Sequence, residues 1–177
     1  MSTRNLVAAG FLFAAGVIVG VLIASAQLVV VAQGATDRTN QVGVWRLSEV
    51  RTTGPNARTI TNPQPNILII TPHYSCAAFV TPDAAPRPEL PPRDKATDKQ
   101  LADAFRSFGA YATKREVNGN EITTRRIVDL IPNGMRAGNF QTMTFRFEGR
   151  DTMWTTGKAT ENGAIANPST NKFTRLE

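Results

Sequence analysis

From Leu6 to Ala32 the chain is almost continuously apolar, and no charged residue falls between Arg4 and Asp37. A helix through the hydrocarbon core needs about 20 apolar residues, and Leu6 to Ala26 alone supplies that length. The pattern predicts an N-terminal transmembrane anchor over 1–35, ahead of a domain over 36–177. A cleaved secretory signal is the alternative. Its apolar region is usually shorter, roughly 7 to 15 residues, but small-residue cleavage motifs do stand at Ala24-Ser25-Ala26 and Ala32-Gln33-Gly34. Gly16, Gly20 and Ala24 recur at every fourth position and would form one smooth stripe on a helix, where a second helix can approach closely. Arg4 before the segment favours a cytoplasmic amino terminus by the positive-inside rule. The expected location is therefore the inner membrane, single-pass, with the C-terminal domain periplasmic.

Beyond the anchor the pattern changes to short runs of branched and apolar residues between turn formers. Val44–Thr53, Asn66–Thr71 and Tyr74–Thr81 read as three antiparallel strands. Pro82, Pro86, Pro88, Pro91 and Pro92 then forbid regular pairing, because proline lacks a backbone donor and fixes its own φ. Thr97 can cap a helix, with Gln100 placed as the reciprocal partner of a capping box. Leu101, Ala104, Phe105, Phe108 and Tyr111 follow at spacings of three and four and predict one apolar face that packs on the sheet. Asn118-Gly119 predicts a tight hairpin joining Ala112–Val117 to Glu121–Ile131. In the next strand, Asn139–Glu148, Met143, Phe145 and Phe147 alternate with Thr142, Thr144 and Arg146, so one face is dry and the other wet. Thr152–Thr156 and Lys172–Leu176 complete eight strands, enough to close a small up-and-down barrel.

The chain has 177 residues and a net charge of +6. All formal charge except Arg4 lies after residue 36, and the basic residues there are interleaved with Asp and Glu. Nucleic acid is not an expected partner. Cys76 is the single cysteine and His73 the single histidine, which excludes any intrachain disulfide and any site built on two imidazoles.

Gly43-Val44-Trp45 resembles the G-x-W signature that opens the first strand of lipocalins. The order that follows is the strand ending Ile70-Thr71-Pro72, the small and aromatic residues Tyr74–Val80, the Pro-rich break, the helix, the long hairpin and Pro132-Asn133. Over roughly Gln41–Glu177 this looks like the bacterial lipocalin-like domain family. The resemblance implies a mainly β fold: an eight-stranded antiparallel barrel with an interior cavity and one helix inserted between the third and fourth strands. Only Gly43 and Trp45 carry over by residue. The family role of that Trp is to plug the closed end of the barrel.

Catalytic signatures are absent. No G-x-S-x-G elbow occurs, and on an extended chain His73 and Cys76 point to opposite faces, so Cys76 is expected to be a buried packing residue. Asp94, Asp98 and Asp103 lack the glycine and glutamate of a calcium loop, and no haem or zinc spacing is present. Neither an enzyme nor a cofactor or metal is expected. Arg125-Arg126 and Arg136 could form an anion site near one barrel end, with at most one of the paired arginines pointing inward; a solvated face explains them as well. Trp45, Phe79, Phe105, Phe108, Phe145, Phe147 and Trp154 could line an apolar cavity, or could simply fill the barrel.

Two functions are compatible with these features. One is a non-catalytic accessory subunit, anchored beside other transmembrane subunits of a larger membrane protein complex, with Gly16, Gly20 and Ala24 as the packing surface. That reading leads, because it uses both halves of the chain; the alternative is a tethered or secreted binder or carrier of a small hydrophobic ligand such as a lipid, pigment or quinone-like molecule, which leaves the Gly16, Gly20 and Ala24 stripe without a role.

Overall fold

The computed structural model describes residues 40–85, 87 and 89–177. The expected anchor, with Gly16, Gly20 and Ala24, lies outside the described residues. Among the described residues, no helix is long and apolar enough to cross a membrane.

The strands are β1 (Gly43–Thr52), β2 (Arg58–Thr61), β3 (Asn66–Ile70), β4 (Tyr74–Val80), β5 (Phe108–Asn118), β6 (Glu121–Asp129), β7 (Gln141–Glu148), β8 (Thr152–Thr160), β9 (Gly163–Ala164) and β10 (Thr170–Arg175). Eight of them form a closed antiparallel barrel in the order β1-β3-β4-β5-β6-β7-β8-β10, because β10 pairs with both β8 and β1. Helix α1 (Asp98–Arg106) is inserted between β4 and β5, the third and fourth strands of the closed ring. The short β2 and β9 are additions to β1 and β8.

Closure explains the alternation in the sequence. A strand presents successive side chains to opposite faces, and every strand of a closed barrel has one face toward the interior. On β7, for example, Phe145 is buried while Arg146 is exposed. Where β1 leaves β3 to pair with β2, the side chain of Asn66 stands in for the missing ladder. Its Oδ1 accepts from the Leu47 amide at 2.5 Å and its Nδ2 donates to the Leu47 carbonyl at 3.1 Å.

One end of the barrel is filled. Trp45, Ile70 and Met153 are buried together, with Leu68, Phe147 and Phe173 packed against them, and the Trp45 and Phe147 ring centres are 6.1 Å apart. The Trp45 indole donates to the Gln41 carbonyl at 2.8 Å, which satisfies the polar atom that a buried Trp would otherwise strand.

Three local expectations are corrected. The capping box of Thr97 and Gln100 forms, but α1 stops at Arg106, and Phe108 and Tyr111 belong to β5. Pairing of Val80 with Phe108 and of Phe79 with Gly109 draws the chain into the sheet there, and Gly109 is a poor helix residue. The apolar face of the helix is consequently only partly covered: Ala104 is buried, whereas Leu101 and Phe105 are exposed. The hairpin is shifted by one position. Asn118 pairs with Glu121, leaving Gly119-Asn120 as the turn, with Gly119 at φ +57°, the arrangement that places glycine first in a two-residue turn. Finally, Cys76 is exposed. It faces outward from β4, because Ser75 and Ala77 take the inward positions.

Candidate functional site

Above the filled end the barrel is hollow. A cavity of about 260 Å³ opens between inward-facing residues of β3–β8 and β10 and the segment before β10. A second space of about 290 Å³ adjoins it through the shared wall of Leu68, Tyr111, Ser169, Asn171 and Phe173. Their linings differ. The second space is bounded mainly by Leu47, Val50, Ile67, Ala77, Phe79 and Pro82, whereas the first is rich in hydroxyl, amide and guanidinium groups.

Strand alternation builds that polar wall. Tyr111, Thr113 and Arg115 occupy successive inward positions of β5, and Ile122, Thr124 and Arg126 do the same on β6. A bulge opposite Ala112/Thr113 leaves Ile127 unpaired. Ser75 and Thr113 share a buried hydrogen bond of 2.8 Å between their hydroxyls.

Arg115 is the most unusual member, since only 4% of it is exposed. Its Nη1 donates to the Thr71 carbonyl at 3.1 Å, and its Nη2 donates to Gln41 Oε1. Among the described residues no carboxylate forms an ion pair with it. Burial pushes this guanidinium down to about 10, so it remains a cation at neutral pH. Beside it, Gln41 Nε2 is buried and has no hydrogen-bond partner among the described residues.

The second inward cation is neutralised. Arg126 Nη1 lies 2.9 Å from Asp129 Oδ2, and its guanidinium carbon is 3.6 Å from the centre of the Tyr111 ring. Burial raises the Tyr111 phenol above its ordinary value, against an opposing pull from Arg126. Arg125 lies on the opposite face of β6, 5.7 Å from the Phe140 ring, and Arg136 bonds Asn133 Oδ1 at 3.0 Å in the loop after β6. The three arginines considered as one anion site are therefore distributed over the lumen, the outer wall and a loop.

The seven aromatic candidates also separate. Phe79 lines the apolar space. Trp45 and Phe147 belong to the packed end, and Phe145 is buried against Phe147 with ring centres 5.9 Å apart. Trp154 points outward between the inward-facing Met153 and Thr155, and is covered by Arg51, Arg146 and Lys172, each within 5.4 Å of its ring centre. Phe108 lies beneath Arg87 at 5.1 Å, and Phe105 is 48% exposed. Arg115, Gln41 and Thr113 were missed. The available signal was parity, since Thr113 and Arg115 alternate in step with Val117 beside the turn.

His73 and Cys76 are not brought together as a reactive pair: the His73 carbonyl accepts from the Arg115 amide in the turn between β3 and β4, while Cys76 faces outward. Among the described residues, no group of three or more His, Cys, Asp or Glu is placed to hold a metal ion.

No family model matches the sequence, and no curated protein matches it. Among solved structures, the chain is similar to a lipocalin-like protein from Bacteroides uniformis, at 9% identity over 77% of this chain and 99% of that one, with a TM-score of 0.42. It is also similar to an uncharacterized protein from Bacteroides eggerthii, at 10% identity over 76% and 98% of the two chains and a TM-score of 0.41. A redesigned β-barrel shares 10% identity over 79% and 95%, with a TM-score of 0.36.

Proposed function

We propose that this protein is a non-catalytic binder of a small molecule with an apolar body, held inside the barrel. The observation that carries this reading is the pair of adjoining spaces above the packed end, one apolar and one polar, in a fold whose interior could have been filled by side chains. Together they fall in the size range of small-molecule sites, and Phe79, Leu68 and Phe173 offer apolar surface that water covers poorly. The test is native mass spectrometry of the full-length chain purified from its source. A co-purifying small molecule, displaced when Leu68→Trp fills the lumen, is the expected result. A chain that carries no molecule and takes up none from a panel of lipids and quinones would overturn the reading.

A second reading, an anchored accessory subunit docking on a larger membrane protein complex, draws support from the outer wall. Val44, Ile69, Cys76, Ala112 and Val128 are register partners across five neighbouring strands. Ile69 and Val128 are 42% and 61% exposed. A contiguous apolar row of this kind is characteristic of protein-binding surfaces. Under this reading, Ile69→Lys with Val128→Lys releases the chain from its membrane partners in mild detergent; unchanged co-purification counts against it.

A further inference from the structure

Among the described residues, the lumen contains a charge with no ion-pair partner. Arg115 is buried, lines the polar space and is held by two neutral oxygens, the Thr71 carbonyl and Gln41 Oε1. A guanidinium has five N–H donors, and these two contacts engage only two of its nitrogens. A buried cation without a counter-ion is costly, and retaining one in a site that could have been apolar calls for a compensating anion. The other luminal cation, Arg126, already has Asp129. Gln41 Nε2, beside Arg115, is a second buried donor with no acceptor among the described residues.

We infer that the occupant of the barrel carries a single oxyanion, of the carboxylate class, which binds Arg115 while its apolar chain extends into the space around Phe79. This rests on the small-molecule reading above and adds the chemistry of the ligand. A planar carboxylate matches the guanidinium fork in geometry and charge. One guanidinium without a carboxylate partner among the described residues suits a monoanion better than a doubly charged phosphate monoester.

The direction of binding follows from strand register. The Arg115 amide donates to the His73 carbonyl at 2.8 Å, in the turn between β3 and β4. Along those strands Ile70 pairs with Ser75 beside that turn, and Asn66 pairs with Phe79 at the opposite end. The anion therefore sits deep, near the packed end of the barrel, with the chain pointing toward Phe79 and Pro82.

Octanoate, 1-octanol and octylamine share a tail and differ in the head group. Calorimetric titration of each into the full-length chain at neutral pH should rank octanoate at least about tenfold tighter than octanol, with octylamine not binding. Arg115→Met should reduce octanoate to the octanol level without weakening octanol. Arg115→Lys, which keeps the charge and loses the fork, should retain part of the preference. The ranking of the three heads on the unaltered protein stands even if both variants fail to fold. Equal binding of octanoate and octanol would overturn the anion inference and leave the small-molecule reading intact. Binding of none of the three, with no other small molecule carried, would remove both.

Discussion

The guanidinium carbon of Arg175 lies 4.1 Å from the centre of the Trp45 ring. The two residues are register partners on β10 and β1, and Arg175 Nη1 also donates to the Val42 carbonyl at 2.8 Å. One side chain thus covers the buried indole and ties down the segment that enters the barrel. Arg175→Ala removes a cation–π contact and a charge-assisted hydrogen bond, and is expected to destabilise the domain by about 1–3 kcal/mol. In a Trp154→Phe background, emission from Trp45 should shift to the red as water reaches the ring. Unchanged stability and emission would show that Arg175 is not the cover described.

Gly109 sits where no side chain fits. A Cβ there would meet the Phe79 ring at 2.4 Å, and that ring is itself held edge-on by Tyr111 at 6.1 Å. Gly109→Ala should cost about 1–3 kcal/mol through overpacking. Adding Phe79→Leu should recover part of the loss, and chemical denaturation of the two single variants and the double variant gives the coupling. Additive losses would contradict the contact.

Cys76 should react with a maleimide in the native, purified chain to full stoichiometry, with the thermal midpoint unchanged, because it faces outward from β4. A thiol that reacts only after denaturation would contradict its outward position. Slowed reaction in intact membranes but not in the purified chain is the result expected if a partner covers this wall.

The Asp103 carboxyl lies below its ordinary value of 3.8, chiefly through the hydrogen bond from Lys99 Nζ at 2.6 Å, with desolvation opposing and Arg106 adding attraction. Because the folded value is depressed, the contribution of this group to α1 is complete above its ordinary value and is lost as the pH falls through the folded value. The pair is exposed, so its effect on global stability is small. Lys99→Met should return the carboxyl toward 3.8 in an NMR pH titration; an unmoved midpoint would mean that Lys99 does not hold it.

The barrel was legible because alternation is a direct consequence of an interior: β7 shows it without ambiguity, and Thr97 with Gln100 marks the helix start. The helix end was not legible, because the spacing of Phe105, Phe108 and Tyr111 also fits a helical face, and only pairing with β4 places the last two on a strand. The lumen was harder still. Large aromatics suggested its lining, yet Trp45 and Phe147 fill the packed end and Trp154 lies outside under three cations. The polar wall came from small hydroxyl residues and Arg115, whose charge disguised an inward position that strand parity alone would have assigned.

Strand β10 completes the ring, and the Ser48 hydroxyl on β1 donates to the Lys172 carbonyl across 124 positions of sequence. Newly made chain therefore carries β1 as an unsatisfied, sticky edge until β10 has emerged. Ring closure must await the making of β10, and a truncation that removes Thr170–Arg175 would leave two raw margins, on β1 and β8, inviting neighbouring molecules to stitch together.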